Sequence, residues 1–166
     1  VQTAAYAYRT IMDREFDVAA VFSPLHDYLP YDLLTSAHQA YTTPLGQVPV
    51  DHELLEICTS SIKDHTGKDV VQIANDHEHS LEIQLPFLQK TLGSEFSLLP
   101  FMIRSHDEGF LMETAEALAD VLLDHNVLLV ASTDLSHFFN VSEANRLDQY
   151  MLQQITQFSP EGVLKA

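Results

Sequence analysis

The chain has 166 residues, enough for one domain with a buried core, and it carries 24 acidic against 8 basic residues. The resulting net charge of −16 argues against nucleic acid and anionic membranes as partners, and no apolar run is long enough to span a bilayer. The single cysteine, Cys58, cannot form an internal disulfide, which fits a reducing compartment and predicts a cytoplasmic protein.

Apolar periodicity divides the chain into alternating helices and strands. The predicted helices cover residues 4–12, 51–66, 80–92, 107–124 and 142–155, and the predicted strands cover residues 17–22, 69–73, 96–103 and 127–131. Asp51, Ser80 and Ser142 are the expected N-caps, and glycines at 67 and 93 follow two of the helix ends. Pro86 is expected to kink helix 80–92 or to confine it to the residues after the proline.

The connection between the first strand and the second helix is long. Residues 28–50 contain three prolines and no clear period, so we expect an ordered loop or a small antiparallel excursion over one sheet edge. Among the strands, 127–131 is a continuous apolar run and is expected to be buried on both faces. Pro100 is expected to interrupt strand 96–103.

This alternation predicts an α/β fold, with a mostly parallel or mixed central sheet flanked by helices on both faces. The chain begins directly in a predicted helix, although an α/β chain usually enters through a strand. We therefore expect residues 1–166 to form a single domain that lacks its first strand and its C-terminal elements. In sheets of this kind, ligands bind beyond the C-terminal ends of the strands.

One stretch is unusually rich in groups that can hold a metal. Residues 75–87 (NDHEHSLEIQLPF) place two histidines and three carboxylates within eight residues, next to an apolar run. Such groups are costly to bury unless they pair or coordinate a metal, and their donor atoms suit iron, zinc, copper or manganese. His79, beside Asp76 and Glu78, is the stronger candidate ligand. His77 is better explained as an exposed neighbour.

Two further histidines follow predicted strands. His26 comes shortly after strand 17–22, and a role in the site and a purely structural role are equally open for it. His137 follows strand 127–131, with Asp134 three residues earlier. Asp134 could bond one ring nitrogen of His137 and leave the other for proton transfer. The alternative is that Asp134 only caps a turn and His137 packs on neighbouring aromatic rings.

A serine hydrolase is disfavoured. Ser136 precedes His137 directly, which is poor geometry for a nucleophile and its base, and the chain has no G-x-S-x-G sequence. Because the three histidine-bearing segments all follow predicted strands, we expect His26, His79 and His137 to converge on one crevice.

Four segments carry a resemblance to a known family: residues 23–30 (SPLHDYLP), 41–51 (YTTPLGQVPVD), 78–88 (EHSLEIQLPFL) and 132–137 (STDLSH). In order and spacing, over almost the whole chain, they resemble the Memo family, including its bacterial members described as AmmeMemoRadiSam system protein B. The resemblance implies a fold related to class III extradiol dioxygenases, which use non-haem iron to open catechol-type rings.

The resemblance also implies roles for individual residues. His26 and His79 would be metal ligands for iron or copper, and His137 would be the acid/base group, oriented by Asp134. Further groups beside the metal or its ligands would be Asp76, Glu78 and Ser136. The family's N-terminal His-Ala-Gly-Tyr segment, whose histidine helps to bind metal, has no counterpart here, so we expect metal binding to be weak.

Two functions follow from this resemblance. The first is a metal-dependent oxidoreductase of dioxygenase ancestry that acts on a small molecule. The second is a non-catalytic binding or signalling module that uses the same crevice for a small molecule or a peptide. Bacterial members are tied by name to a radical-SAM system, which would be a partner.

Overall fold

The computed structural model describes residues 2–74 and 78–165. The helices are α1 (Gln2–Arg9), α2 (His52–Thr66), α3 (Leu85–Leu92), α4 (Glu108–Leu122), α5 (Val141–Thr156) and α6 (Pro160–Leu164), with a short 3₁₀ helix at Glu82–Gln84. The strands are β1 (Val18–Pro24), β2 (Leu33–Ser36), β3 (Ala40–Thr43), β4 (Gly46–Pro49), β5 (Val71–Ile73), β6 (Ser97–Ile103) and β7 (Val127–Ala131).

Five strands form the central sheet, in the order β5-β2-β6-β1-β7. Strand β1 runs parallel to both β6 and β7, and β2 runs parallel to β5 but antiparallel to β6. Helices α1 and α3 lie on the face that carries Leu128 and Val130, and α4 covers the face of Leu33 and Leu129. Helix α2 packs on α4. The predicted α/β fold with a mixed, mostly parallel sheet and flanking helices is confirmed.

The core is centred on the two middle strands. Ala19, Ala20 and Val21 of β1 and Leu98 and Leu99 of β6 are all fully buried. Because helices cover both faces of these strands, side chains of either direction leave water, and the strands therefore read as continuous apolar runs. This packing fixes the C-terminal end of β1, where the candidate site begins.

Pro100 lies inside β6 without interrupting it, and it remains paired with Val21 of β1. Its carbonyl accepts a hydrogen bond from Thr35 Oγ1 at 2.6 Å, on the β2 side. The β2 pairing ends at Thr35 opposite Phe101, so the N–H that proline lacks falls just beyond the backbone ladder. The predicted interruption is wrong because a threonine side chain takes over where the ladder stops.

Strand β7 has the predicted bounds but not the predicted burial. It pairs only with β1 among the residues that the structure describes, and 64% of Leu129 is exposed. The run of apolar residues showed a strand, but apolar composition does not show how many neighbours a strand has. The expectation of burial on both faces is therefore wrong.

The long connection contains more structure than expected. Strands β3 and β4 form an antiparallel hairpin, which confirms the small antiparallel excursion. Residues Leu33–Ser36, however, are fully buried and form β2 within the central sheet. Four residues are too few to show a period, which is why the pattern did not predict this strand.

Some of the predicted helix caps are present in the structure and others are not. Asp51 accepts a hydrogen bond from Leu54 N at 3.0 Å as the N-cap of α2, and Gly67 ends that helix with a left-handed φ of 69°, both as predicted. Ser80 does not cap α3, which begins at Leu85 next to Pro86. Asn140, rather than the predicted serine two residues later, caps α5. Within residues 2–74 and 78–165, none of the helices combines the length and apolarity required to cross a bilayer.

Asp107 caps α4, the helix that covers one face of the sheet, and its Oδ1 accepts from Phe110 N at 2.9 Å. Asp107→Ala should lower the free energy of unfolding by about 1 kcal/mol, because the first turn of the helix loses its acceptor. Asp107→Asn keeps an acceptor of the same reach and should leave the stability nearly unchanged. Urea unfolding of the three proteins measures both effects, and equal loss in the two variants would contradict the capping role.

Candidate functional site

His26 lies two residues beyond the end of β1. Its side chain is 59% exposed, whereas the adjacent Leu25 is buried and packs with Leu34 and Met102. The apolar contacts of Leu25 hold the backbone on the sheet while the imidazole faces outward. The backbone of His26 is therefore held in place while its side chain faces solvent.

Glu78 is the buried group of the site, with a side chain only 1% exposed. Its Oε2 accepts a hydrogen bond from the backbone N–H of His26 at 2.7 Å. Its Oε1 accepts from the backbone N–H groups of His79 at 2.9 Å and Ser80 at 2.7 Å. The Nδ1 atom of His26 lies 2.9 Å from Oε2 and 3.1 Å from Oε1. Among the described residues, these donors surround both oxygen atoms of the carboxylate.

Burial and hydrogen bonding act in opposite directions on this carboxyl group. Burial raises the pKa of Glu78, but the bonds from the backbone of Ser80 and His26 outweigh it and lower the pKa from 4.5 to about 2. Glu78 is therefore ionised at neutral pH. It places a fixed negative charge directly behind the His26 ring.

His79 stands beside His26 on the outer side of this carboxylate. The two rings are stacked, with centroids 5.3 Å apart and planes 18° from parallel. The Nδ1 atom of His79 lies 3.8 Å from Glu78 Oε1, too far for a hydrogen bond, and 78% of the side chain is exposed. Ligand atoms of His26, Glu78 and His79 all lie within 4.8 Å of one another. The structure thus brings together two imidazoles and one carboxylate.

The donor set fits a first-row transition metal through its imidazoles. Imidazole nitrogen suits iron, copper and zinc. The oxygens of Glu78 face N–H groups, so His26 and His79 are the side chains that would hold a metal. A metal held by these two imidazoles alone would have most coordination positions open, and weak binding stays a prediction.

A chain of hydrogen bonds ties the site to the neighbouring loop. Ser80 Oγ donates to the carbonyl of Pro24 at 2.8 Å, and Ser132 Oγ donates to the carbonyl of Ser80 at 2.6 Å. Gln84 Nε2 donates to Ser132 Oγ at 2.8 Å, and Tyr8 OH donates to Gln84 Oε1 at 3.0 Å. Sequence reasoning missed Gln84 and Ser132. The signal for Ser132 is its position as the first polar residue after an apolar strand.

The route by which these segments meet differs from the expected one. We expected each histidine segment to follow the C-terminal end of a parallel strand. Strand β5 runs antiparallel to β6, and hence to β1 and β7, so its C-terminal end does not point to the edge where β1 and β7 end. The expectation of a common strand end is wrong for β5, and Glu78 meets His26 through its own hydrogen bonds.

His137 forms a second, more exposed cluster. Its Nε2 lies 2.8 Å from Asp134 Oδ2, and its ring lies at a tilt to that of Phe138, with centroids 5.8 Å apart. The two predicted arrangements of this loop are therefore both present: His137 contacts the carboxylate of Asp134, and it packs on an aromatic ring. Across the described parts of the chain, the side-chain contacts of His137 are with these two residues and not with His26 or His79.

Ser136 is tied to helix α5. Its backbone N–H and its hydroxyl both donate to Asp148 Oδ1, at 2.9 Å and 2.6 Å, and these bonds lower the pKa of Asp148. The hydroxyl thus anchors the loop that carries His137. Asp76 and His77 lie outside the described residues, and the role of Asp76 stays a prediction.

Comparison with known proteins places these features in one family. The family model described as Memo-like protein matches residues 1–166. A MEMO1 family protein of Methanopyrus kandleri is 31% identical over 165 residues, covering 98% of this chain and 57% of the relative. Those of Archaeoglobus fulgidus and Aquifex aeolicus are 33% and 30% identical, over 93% and 96% of the chain and 56% and 58% of the relative. The chain thus spans somewhat more than half the length of these relatives.

The low pKa of Glu78 predicts a specific acid sensitivity. A carboxyl group whose pKa is lower in the folded than in the unfolded state adds to the free energy of unfolding at pH values above its unfolded-state pKa. This contribution is lost as the pH falls through the folded-state pKa. The stability advantage of the wild type over Glu78→Gln should therefore shrink as pH falls from 4.5 toward 2. The shrinkage should be about 3 kcal/mol at most.

Denaturant unfolding at a series of pH values measures this difference. Glu82→Gln, which changes an exposed carboxylate in the same segment, is the matched control and should show little pH-dependent difference from the wild type. A gap between wild type and Glu78→Gln that stays constant over this range would contradict the role of Glu78 as an ionised acceptor.

Proposed function

The chain belongs to the Memo-like family, and we propose that this member holds a redox-active metal ion, iron or copper, between His26 and His79 and acts as an oxidoreductase of non-haem iron dioxygenase ancestry. The observation that carries this proposal is the stacked pair of imidazoles over an ionised carboxylate, with ligand atoms of the three groups within 4.8 Å. Metal, substrate and reaction are proposals for this chain.

The two histidines provide binding and access. Both side chains are largely exposed, so a metal and a small molecule can reach them from solvent. Glu78 orients His26 and balances the positive charge of a metal from behind. When bound, the metal would supply activation of oxygen or of a catechol-type substrate.

His137 provides proton transfer in this proposal. The contact of its Nε2 with Asp134 leaves Nδ1 for exchange of a proton with a substrate. Its loop is held near the histidine pair through Ser132, which donates to the backbone of Ser80. His137 and the metal ligands therefore belong to adjoining loops.

A non-catalytic binding module is the second candidate. It is favoured by the contacts of His137, which remain within its own loop, and by large exposed aromatic side chains, namely Tyr28, Phe138 and Phe139. Such surfaces bind peptides or flat small molecules without turnover. In this reading a protein of the radical-SAM system named for bacterial family members is the partner.

Metal binding is the first test. Anaerobic titration with Fe(II), and separately with Cu(II), should show weak one-to-one binding by equilibrium dialysis and elemental analysis. His26→Ala and His79→Ala should each lower the affinity by about tenfold or more, because each removes one of two ligands. His106→Ala changes an exposed histidine elsewhere and should have no effect. Equal affinity in all four proteins would contradict the site.

Oxygen consumption separates the two candidate functions. With iron-loaded protein and a panel of catechols, the oxidoreductase proposal predicts oxygen uptake at an oxygen electrode. His137→Ala should abolish the uptake and leave the metal content nearly intact, since His137 moves protons and does not hold the metal. Loss of the metal together with the activity would make His137 a ligand. Uptake that survives the substitution would remove His137 from the mechanism.

A further inference from the structure

We infer that Glu78 is a positioning residue that fixes the tautomer of His26, with the proton on Nδ1 and the lone pair on Nε2. The inference concerns this chain's own side chains, and its consequence for metal affinity rests on the proposed function. It differs from the role that the sequence suggested for Glu78, which was that of a group on or near the metal.

The argument begins with the donors around the carboxylate. Of the four donors found within residues 2–74 and 78–165, three are backbone N–H groups, from His26, His79 and Ser80, which always carry a hydrogen. They hold Glu78 ionised, and an ionised carboxylate accepts hydrogen bonds and does not donate them. The fourth group, His26 Nδ1, lies 2.9 Å from Oε2 and must therefore supply the hydrogen of that bond.

The other ring nitrogen is then determined. A neutral imidazole carries one N–H, so a proton on Nδ1 leaves a lone pair on Nε2. Within residues 2–74 and 78–165, the hydrogen bonds of the His26 ring go to Glu78 through Nδ1, and Nε2 makes none. His26, whose side chain is 59% exposed, therefore keeps the lone pair of Nε2 for a ligand.

Glu78 fixes the ring by more than one contact. The same Oε2 that accepts from the ring also accepts from the backbone N–H of His26, at 2.7 Å. Main chain and side chain of His26 are thus held by a residue 52 positions away in sequence. His79, whose Nδ1 lies 3.8 Å from the carboxylate, is not fixed in this way.

The second histidine cluster provides an internal contrast. In His137 it is Nε2 that contacts a carboxylate, Asp134 Oδ2 at 2.8 Å. Its preferred neutral tautomer is therefore the opposite one, with the proton on Nε2 and the lone pair on Nδ1. One protein thus holds two histidines in opposite tautomers, and each can be measured in the same sample.

The ligand class follows from this arrangement. A histidine that donates one ring N–H to a carboxylate and offers the other nitrogen is a common way to hold a divalent first-row metal. The carboxylate increases the basicity of the ligand nitrogen and fixes the ring direction. Under the proposed function, the metal would bind His26 through Nε2.

Imidazole nitrogen NMR on the metal-free, ¹⁵N-labelled wild type tests the inference without any substitution. Long-range ¹H–¹⁵N correlation spectra recorded at mildly alkaline pH, where imidazoles are neutral, identify the protonated nitrogen of each ring. We expect His26 to carry its proton on Nδ1 and His137 on Nε2. A proton on Nε2 of His26 would overturn the inference.

The substitution Glu78→Gln adds a second measurement. Its carboxamide keeps the shape of the side chain but replaces one of the two acceptor oxygens with an NH₂ donor, which weakens the bond from His26 Nδ1. The fraction of His26 with its proton on Nδ1 should fall, and Co(II) affinity should fall by about 10–100-fold. Glu82→Gln should change neither. An unchanged His26 tautomer in Glu78→Gln would also overturn the inference.

The two proposals fail in different ways. If the wild-type spectrum shows the expected tautomer but Co(II), Fe(II) and Cu(II) do not bind, the proposed function fails and the role of Glu78 stands. If these metals bind through His26 and His79 while the His26 proton is on Nε2, the role of Glu78 fails and the metal site stands.

Discussion

The candidate site depends on one buried carboxylate that is fully hydrogen-bonded. A lone charge at this depth would be too costly, but Glu78 is surrounded by three backbone N–H groups and one imidazole. These bonds stabilise the charge and in return fix both segments that carry histidines. His26 and His79 stack because the segments that carry them donate to the same carboxylate. The contacts that stabilise the buried charge are therefore the same contacts that position the two histidines.

Much of the fold was predictable because local signals were strong. Asp51 with Gly67 marked the ends of α2, and the apolar run 127–131 gave the bounds of β7. What failed depends on neighbours in space. The short strand β2 has too few residues for a pattern, and it reverses the direction of β5 relative to the rest of the sheet. Pro100 is tolerated in β6 only because the adjacent β2 ladder has already ended.

The site was predictable in its residues more than in their roles. Sequence reasoning selected His26 and His79, and the structure places their rings together, but it treated Glu78 only as a group on or near the metal. Which lone pairs of Glu78 accept hydrogen bonds depends on the backbone N–H groups that folding brings near it. The amino-acid sequence does not show which N–H groups these are. The same limit applies to Ser132, whose link to the backbone of Ser80 joins two loops that are far apart in sequence.

The links that build the site also determine when it can exist during folding. The bond between Glu78 and His26 spans 52 residues, and that between Ser80 and Pro24 spans 56. Closing such long loops costs chain entropy before any contact compensates for it, and non-local contacts of this kind slow folding. The paired imidazoles are thus a property of the assembled sheet, and a partly folded chain has the histidines without the site.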